Sequence, residues 1–251
     1  MTNQGRVALQ PAYILHRKPY RETSLLLEAF TADVGRIGLV ARGARRSKSS
    51  SQALLQPFVP LWLSWSGHGE LGTMTGVEGR SMLRPLTGKA LISGFYLNEL
   101  LLRLLQRYDP HPELFAVYDA TLQQLATESS SHEWTLRLFE KALLQEMGYG
   151  LLFDHEAHSG EAIQPDQRYC YHLQQGPLNA PGQRCDGIPV AGRTLIALDH
   201  EAGYDAVTLA ESKQLMRAAL AQHLGNRPLR SRELFRQTYA GRHSGPATEG
   251  D

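Results

Sequence analysis

Arg42, Arg45, Arg46 and Lys48 place four cations within seven residues, and a serine run, Ser49 to Ser51, follows. Guanidinium groups offer a planar fork of donors that matches phosphate oxygens, and serine hydroxyls add neutral contacts to the same oxygens. The chemistry open to such a stretch is recognition of a polyanion. A solvated surface loop has the same composition, so the decision rests on what holds the stretch. An apolar, strand-like segment, Gly35 to Ala41, leads into it, and a second, Val59 to Ser66, comes after it. The arrangement reads as a cationic loop between two strands of a small β-domain.

Catalytic spacings are missing. A phosphate-cradling loop needs Gly-x-x-x-x-Gly-Lys-Ser/Thr, but Gly88-Lys89 is followed by Ala90 and has Leu83 where the first glycine belongs. His155-Glu156-Ala157-His158 sets its histidines three apart, not the four that one helical face of a zinc protease requires. No Gly-x-Ser-x-Gly elbow occurs, and His16 has no carboxylate or nucleophile close in sequence. Cys170 and Cys185 are the only cysteines, too few for a disulfide framework, and neither belongs to a Cys-x-x-Cys pair. His155, His158, Cys170 and Cys185 would have to converge from afar to bind a metal, so no metal and no cofactor are expected. A reducing cytoplasm is the expected compartment.

The net charge of +1 conceals an asymmetry. Residues 1–80 carry 10 Lys/Arg against 5 Asp/Glu, and residues 212–243 carry 7 against 1. Residues 148–211 reverse the balance, with 3 against 9. Two basic ends around an acidic middle point toward nucleic acid. The charge-free stretch from Ser49 to Gly69 is no membrane span, because Pro57, Pro60 and polar residues interrupt it. No apolar core follows a basic start, so no secretory signal is expected.

These residues need elements to position them. Val7 to Leu15, Ser24 to Phe30, Gly35 to Ala41, Val59 to Ser66 and Glu70 to Glu78 read as five short strands divided by turn residues. Closure into a five-stranded oligonucleotide-binding barrel would remove their edges. Trp65 is in phase with Leu61 and Leu63 and reads as core. Trp62 is out of phase, either a base-stacking platform or a packing contact. From Ala90 to Tyr108 the period becomes helical, with Leu91, Phe95, Asn98, Leu102 and Leu105 on one face. Further helices are predicted over Glu113 to Thr127, from a Ser130/Glu133 capping box to Met147, over Thr208 to Leu224, and over Arg232 to Tyr239 with Ser231 as cap. Residues 150–206 read as irregular, with short strands near Arg168 to Gln174. The resulting class is α+β: a barrel domain (1–80), a helical domain (81–149) completed by residues 207–240, an irregular insert (150–206) and a polar tail (241–251).

Several motifs resemble the RecO family of bacterial recombination and repair proteins. They are Glu22-Thr23-Ser24-Leu25, Val40-Ala41-Arg42-Gly43-Ala44-Arg45, Leu55-Gln56-Pro57-Phe58, Tyr96-Leu97-Asn98-Glu99-Leu100, Gly148-Tyr149-Gly150 and Pro228-Leu229-Arg230-Ser231-Arg232-Glu233-Leu234-Phe235, in order from about Arg6 to Gln237. The resemblance implies an oligonucleotide-binding barrel, a helical domain and a zinc-ribbon-like insert. It implies binding of single- and double-stranded DNA, strand annealing and no covalent catalysis. The implied partners are RecR, in some bacteria RecF, the acidic tail of single-stranded-DNA-binding protein and, indirectly, RecA. Where family members carry two Cys-x-x-Cys pairs, this chain has Glu156 and Ser159 for the first and only Cys185 from the second, so a degenerate, metal-free insert is expected. The DNA surface expected from the barrel side is Arg36, Arg42, Arg45, Arg46 and Lys48, extended by Arg17, Lys18 and Arg21. Arg230, Arg232 and Arg236 are expected to offer a basic rim to a protein partner.

Overall fold

A computed structural model describes residues 5–46, 51–67, 69–81, 84–127, 132–179 and 184–239. The expected barrel is present. β1 (Arg6–Tyr20), β2 (Ser24–Thr31), β3 (Gly35–Ala41), β4 (Leu61–Ser66) and β5 (Gly72–Gly79) close in the order β1-β2-β3-β5-β4, with a four-residue helix, α1 (Ser51–Leu54), between β3 and β4. β1 is long enough to pair with β4 along its first half and β2 along its second. Ala12, Ile14, Leu27, Ile37, Leu39, Leu61, Leu63 and Trp65 alternate inward and fill the core. Each such large side chain stabilises the fold by about 1.5–3 kcal/mol. Trp65 is core as its phase predicts, and Trp62 is half-buried.

The β1–β2 ladder shifts register between Ile14 and His16, leaving Leu15 out of the pairing. Leu15 is buried, so its carbonyl needs a partner from elsewhere. Asn98 on α2 (Gly88–Leu104) supplies it: Nδ2 donates to the Leu15 carbonyl at 2.9 Å, and Oδ1 accepts the hydroxyl of Tyr118. Tyr118 and Phe115 on α3 (Pro112–Leu125) pack with Tyr13 and Phe30 of the barrel as tilted and edge-on rings. Asp119 accepts from both the Tyr13 hydroxyl and Arg80 at the margin of that cluster.

α2 stops at Leu104, short of the predicted Tyr108. The β3 edge captures the chain instead: Arg36 bridges Arg107, the Tyr108 N–H donates to the Arg36 carbonyl at 3.0 Å, and Asp109 lies against Gly35. Gly35 has φ +76°, and a Cβ there would fall 1.9 Å from the Asp109 carbonyl oxygen, so only glycine fits. The buried face of α2 is Ala90, Tyr96, Leu97, Asn98, Leu100 and Leu101, while Phe95 is exposed. The sequence pattern, widened by Leu97, Leu101 and Leu104, reads as a helix covered on most sides; Leu97, Asn98 and Leu101 are buried as that reading expects, and Phe95 is not.

Residues 129–225 form a compact unit of their own, and residues 1–128 with 226–251 form the other. The division runs through the stretch read from sequence as one helical domain. α2, α3 and the C-terminal α7 (Arg230–Tyr239) belong with the barrel, whereas α4 (His132–Glu146), α5 (Gly192–His200) and α6 (Ala206–Leu224) belong with the insert. The insert contains a sheet ordered β7-β6-β8, with β6 (Arg168–His172), β7 (Gly176–Asn179) and β8 (Ile188–Ala191). α5 was not predicted. Its N-terminus follows Ala191, which cannot cap with its side chain. The N–H groups of its first turn go instead to backbone, Gly192 to the Gln167 carbonyl at 2.8 Å and Arg193 to the Pro165 carbonyl at 3.2 Å, while the Glu211 carboxylate of α6 accepts the Ala191 N–H at 2.9 Å and the Thr194 hydroxyl at 2.6 Å. The Ser130 cap lies outside the described residues.

Replacing Asn98 with Leu should lower stability by about 2 kcal/mol or more, because the Leu15 carbonyl and Tyr118 hydroxyl lose their partner while buried. Chemical denaturation followed by tyrosine and tryptophan fluorescence measures it. A change below about 0.5 kcal/mol would contradict the role assigned to the amide.

Candidate nucleic-acid interface

The β1–β2 turn and the segment leaving β3 lie side by side because Leu25 pairs with Ala41 at the end of the β2–β3 ladder. Arg45 fastens them together. Its N–H donates to the Thr23 carbonyl at 2.9 Å, and its Nη1 lies 3.2 Å from the carbonyls of Arg21 and Glu22. Ala44, fully buried, anchors the segment in the barrel core, and Gly43 at φ +69° turns it so that the Arg46 N–H meets the Gly43 carbonyl. The start of the basic stretch is therefore a built turn with exposed cations at Arg42, Arg45 and Arg46. Arg21, itself at φ +52°, lies over the Tyr20 ring at 5.3 Å, and Lys18 is exposed three residues earlier on β1. Lys18, Arg21, Arg42, Arg45 and Arg46 thus share one end of the barrel, with the Tyr20 ring among them. Lys48 lies outside the described residues.

Two predicted members are placed differently. Arg36 stands at the far end of β3, six residues before Arg42, or roughly 20 Å along an extended strand. It is largely buried, donates to the Leu102 carbonyl at 2.8 Å and faces Glu28 at 3.9 Å. Burial pulls its guanidinium below the usual value and Arg107 adds to this, while Glu28 opposes both. Arg36 holds α2 to the barrel, a use that its position in a basic-rich sequence does not reveal. Arg17 is half-buried and donates to the Leu55 carbonyl at 3.2 Å, steadying the connection after α1.

The α7 arginines divide as well. Arg230 and Arg236 are exposed, but Arg232 is half-buried above the Tyr96 ring at 5.8 Å. Ser231 does not cap α7 as predicted. Glu99 on α2 accepts the N–H groups of Arg230 and Ser231, both at 3.0 Å, and the Ser231 hydroxyl at 2.7 Å. Burial alone would raise the Glu99 carboxyl, but these donors and Arg103 outweigh it and hold the group below its usual range.

Residues 6–82 match the family model for the Recombination protein O N terminal, and residues 85–233 match that for the Recombination protein O C terminal. A DNA repair protein RecO of Nitrosococcus oceani is 49% identical over 232 residues, covering 92% of this chain and 94% of the relative. One from Methylococcus capsulatus is 50% identical over 234 residues, covering 93% and 95%. The chain belongs to the RecO family of DNA repair proteins. Among the described residues no helix is long and apolar enough to cross a membrane.

The zinc-ribbon ligand set that the sequence resemblance implies does not fit the residues here. Glu156, at the first ligand position, is buried, and its carboxylate is already taken by backbone. Oε2 accepts the N–H groups of His158 at 3.1 Å and Ser159 at 2.5 Å, and Oε1 accepts that of Asn179 at 3.4 Å. The acid thus ties its own turn to the end of β7. His155 and His158 do not join Cys170 and Cys185: His155 engages Asp154 at 2.8 Å, and the two cysteines form one disulfide with each other.

The Ser159 N–H above all, with those of Asn179 and His158, holds the Glu156 carboxyl below its usual range. A depressed folded-state value stabilises the fold above the unfolded carboxyl value, near pH 4.3, and that contribution is lost as pH falls through the folded value. Thermal melts should therefore show Glu156→Gln with a shallower loss of stability below about pH 4.3 than the parent chain. Parallel acid limbs would contradict the assignment.

Proposed function

We propose that this RecO-family chain is a non-catalytic DNA-binding mediator that tracks phosphates without reading sequence. The observation carrying this reading is the Arg45 staple, which joins two segments into one cationic end of an oligonucleotide-binding barrel. Arg42, Arg45, Arg46, Lys18 and Arg21 are the contact residues, with Tyr20 available to stack on a base. Because phosphate and stacking contacts suit any sequence, single- and double-stranded DNA are both ligands. Annealing follows from the same charge: two strands repel, and a cationic surface lowers the cost of bringing them together. In this reading the chain acts in the cytoplasm with RecR and helps load RecA onto DNA covered by single-stranded-DNA-binding protein, with no nucleotide or divalent cation required for annealing.

Binding neutralises phosphates and releases counterions, so affinity falls with salt. Arg42, Arg45 and Arg46 replaced together by Ala should flatten the log–log salt slope on duplex DNA by about two to three units and weaken binding at least tenfold near 0.1 M salt. Arg36→Ala should reduce stability and leave the slope unchanged. The reverse pattern, with an Arg36-dependent slope and an unaffected triple variant, would place the DNA elsewhere.

A second reading is favoured by α7. It exposes Leu234 and Phe235 between Arg230 and Arg236, an apolar strip with a basic margin. An acidic peptide ending in an apolar side chain, such as the tail of single-stranded-DNA-binding protein, complements such a strip. Titrated against a labelled acidic tail peptide, Arg230→Glu with Arg236→Glu should bind at least tenfold more weakly, with DNA affinity little changed. Equal peptide binding by variant and parent would sink this reading.

A further inference from the structure

A cavity of about 640 Å³ opens in the barrel unit between the α1–β4 connection, the end of β5 and the start of α2. That size suits one small ligand, or one group carried on a larger one. Its walls are apolar: Leu54, Pro57, Phe58, Pro85, Leu86 and Leu91. Two of these are prolines, which have no N–H, so an extended peptide finds few backbone donors here. Phe58 is fixed in place. Its φ of +69° is costly for a residue with a side chain. The ring stands edge-on to Phe95 at 5.1 Å, and Gly94 admits it, because a Cβ there would lie 2.9 Å from the ring.

The mouth is cationic. Arg80 and Arg84 line it, and among the described residues no carboxylate does. Arg80 is engaged by Asp119, whereas Arg84 is exposed and has no ion-pair partner among the described residues. α2 begins between Leu86 and Leu91 with no acid in its first turn, so its N-terminus adds partial positive charge. The cavity also borders the cationic end of the barrel. Arg17, next to Lys18 on β1, donates to the Leu55 carbonyl at 3.2 Å, beside Leu54 of the wall. An apolar slot with a cationic mouth, next to a phosphate-tracking surface, complements a flat apolar-faced group carried on a phosphate chain.

We propose that this cavity accepts one unpaired nucleobase of a single strand whose phosphates run over the cationic end, with Arg84 on the adjoining phosphate. The inference rests on the DNA-binding reading above and adds to it a preference for single strands. A duplex has to give up a base pair to fill the slot, and extruding a base is costly. The contact is also lost when the base pairs with its complement. Annealing therefore frees the product from the slot: the strand is held there while single and let go once joined.

The test compares the full chain with Gly79→Leu on a single strand, an abasic strand of the same length and a duplex. Gly79 lines the cavity, and a Cβ there would meet only the Leu54 side chain, at 3.7 Å, so leucine is tolerated and fills the slot. Gly79→Leu should weaken binding of the base-bearing strand about tenfold and leave the abasic strand and the duplex within about twofold of the parent. Arg84→Ala should flatten the salt slope on the single strand by about 0.7 and leave the duplex slope unchanged. A parental ratio of base-bearing to abasic affinity in Gly79→Leu overturns the proposal, as does an equal loss on all three DNAs. An unchanged single-strand slope in Arg84→Ala overturns it independently. So does a labelled acidic amphipathic peptide whose binding is lost in Gly79→Leu while strand binding stays, because the cavity would then be a protein groove. Failure of the cationic end is separate: it shows on duplex DNA, where the slot plays no part, as an unaffected variant lacking Arg42, Arg45 and Arg46, and the base-bearing to abasic ratio still decides the slot.

Discussion

A single buried carbonyl organises the barrel unit. Where the β1–β2 ladder slips a residue, Leu15 is left without a strand partner, and an unpaired buried carbonyl costs about 1–3 kcal/mol. The Asn98 amide answers it, and in doing so fixes α2 against the barrel. The same amide receives Tyr118, which brings α3 onto the aromatic cluster of Tyr13, Phe30 and Phe115. The next residue, Glu99, caps α7. Two consecutive polar side chains on one helix therefore connect barrel, α3 and α7, which is why Asn98 sits in the core despite the cost of burying an amide.

With the helices settled in this way, the cations have different tasks. Arg36, Arg17, Arg107 and Arg232 face carbonyls, a carboxylate or an aromatic ring of the fold. Arg42, Arg45 and Arg46 are carried on a turn whose shape is set by the burial of Ala44. Arg45 does both: it ties the turn with one nitrogen and remains exposed. Cations on a braced turn lose less conformational freedom on binding than cations on a free loop, so more of each contact survives as affinity.

Largely buried carboxylates organise the insert. Glu156 gathers three backbone N–H groups, and Glu211 ties the start of α5 to α6. Carboxylates are suited to this because an ionised acceptor makes stronger hydrogen bonds than a neutral one. The sheet is thereby tied at Glu156 as well as at the Cys170–Cys185 disulfide.

The five strands, the main helices and the turn residues between them were legible in the sequence, since periodicity and glycine or proline chemistry are properties of neighbours in the chain. So was the concentration of cations after β3. α5 was not legible, because the groups that satisfy its start, the Pro165 and Gln167 carbonyls and the Glu211 carboxylate, lie far from it in the chain. Ser231 was misread as a cap for the same reason: the acceptor is Glu99, on another helix. By itself the sequence determined the five barrel strands, the longer helices and the concentration of cations that follows β3. Only the tertiary structure decided which arginines are spent inside the fold, which acids serve as caps, and that Cys170 meets Cys185. Those outcomes depend on contacts between residues far apart in the chain, and a contact of that kind leaves no local pattern.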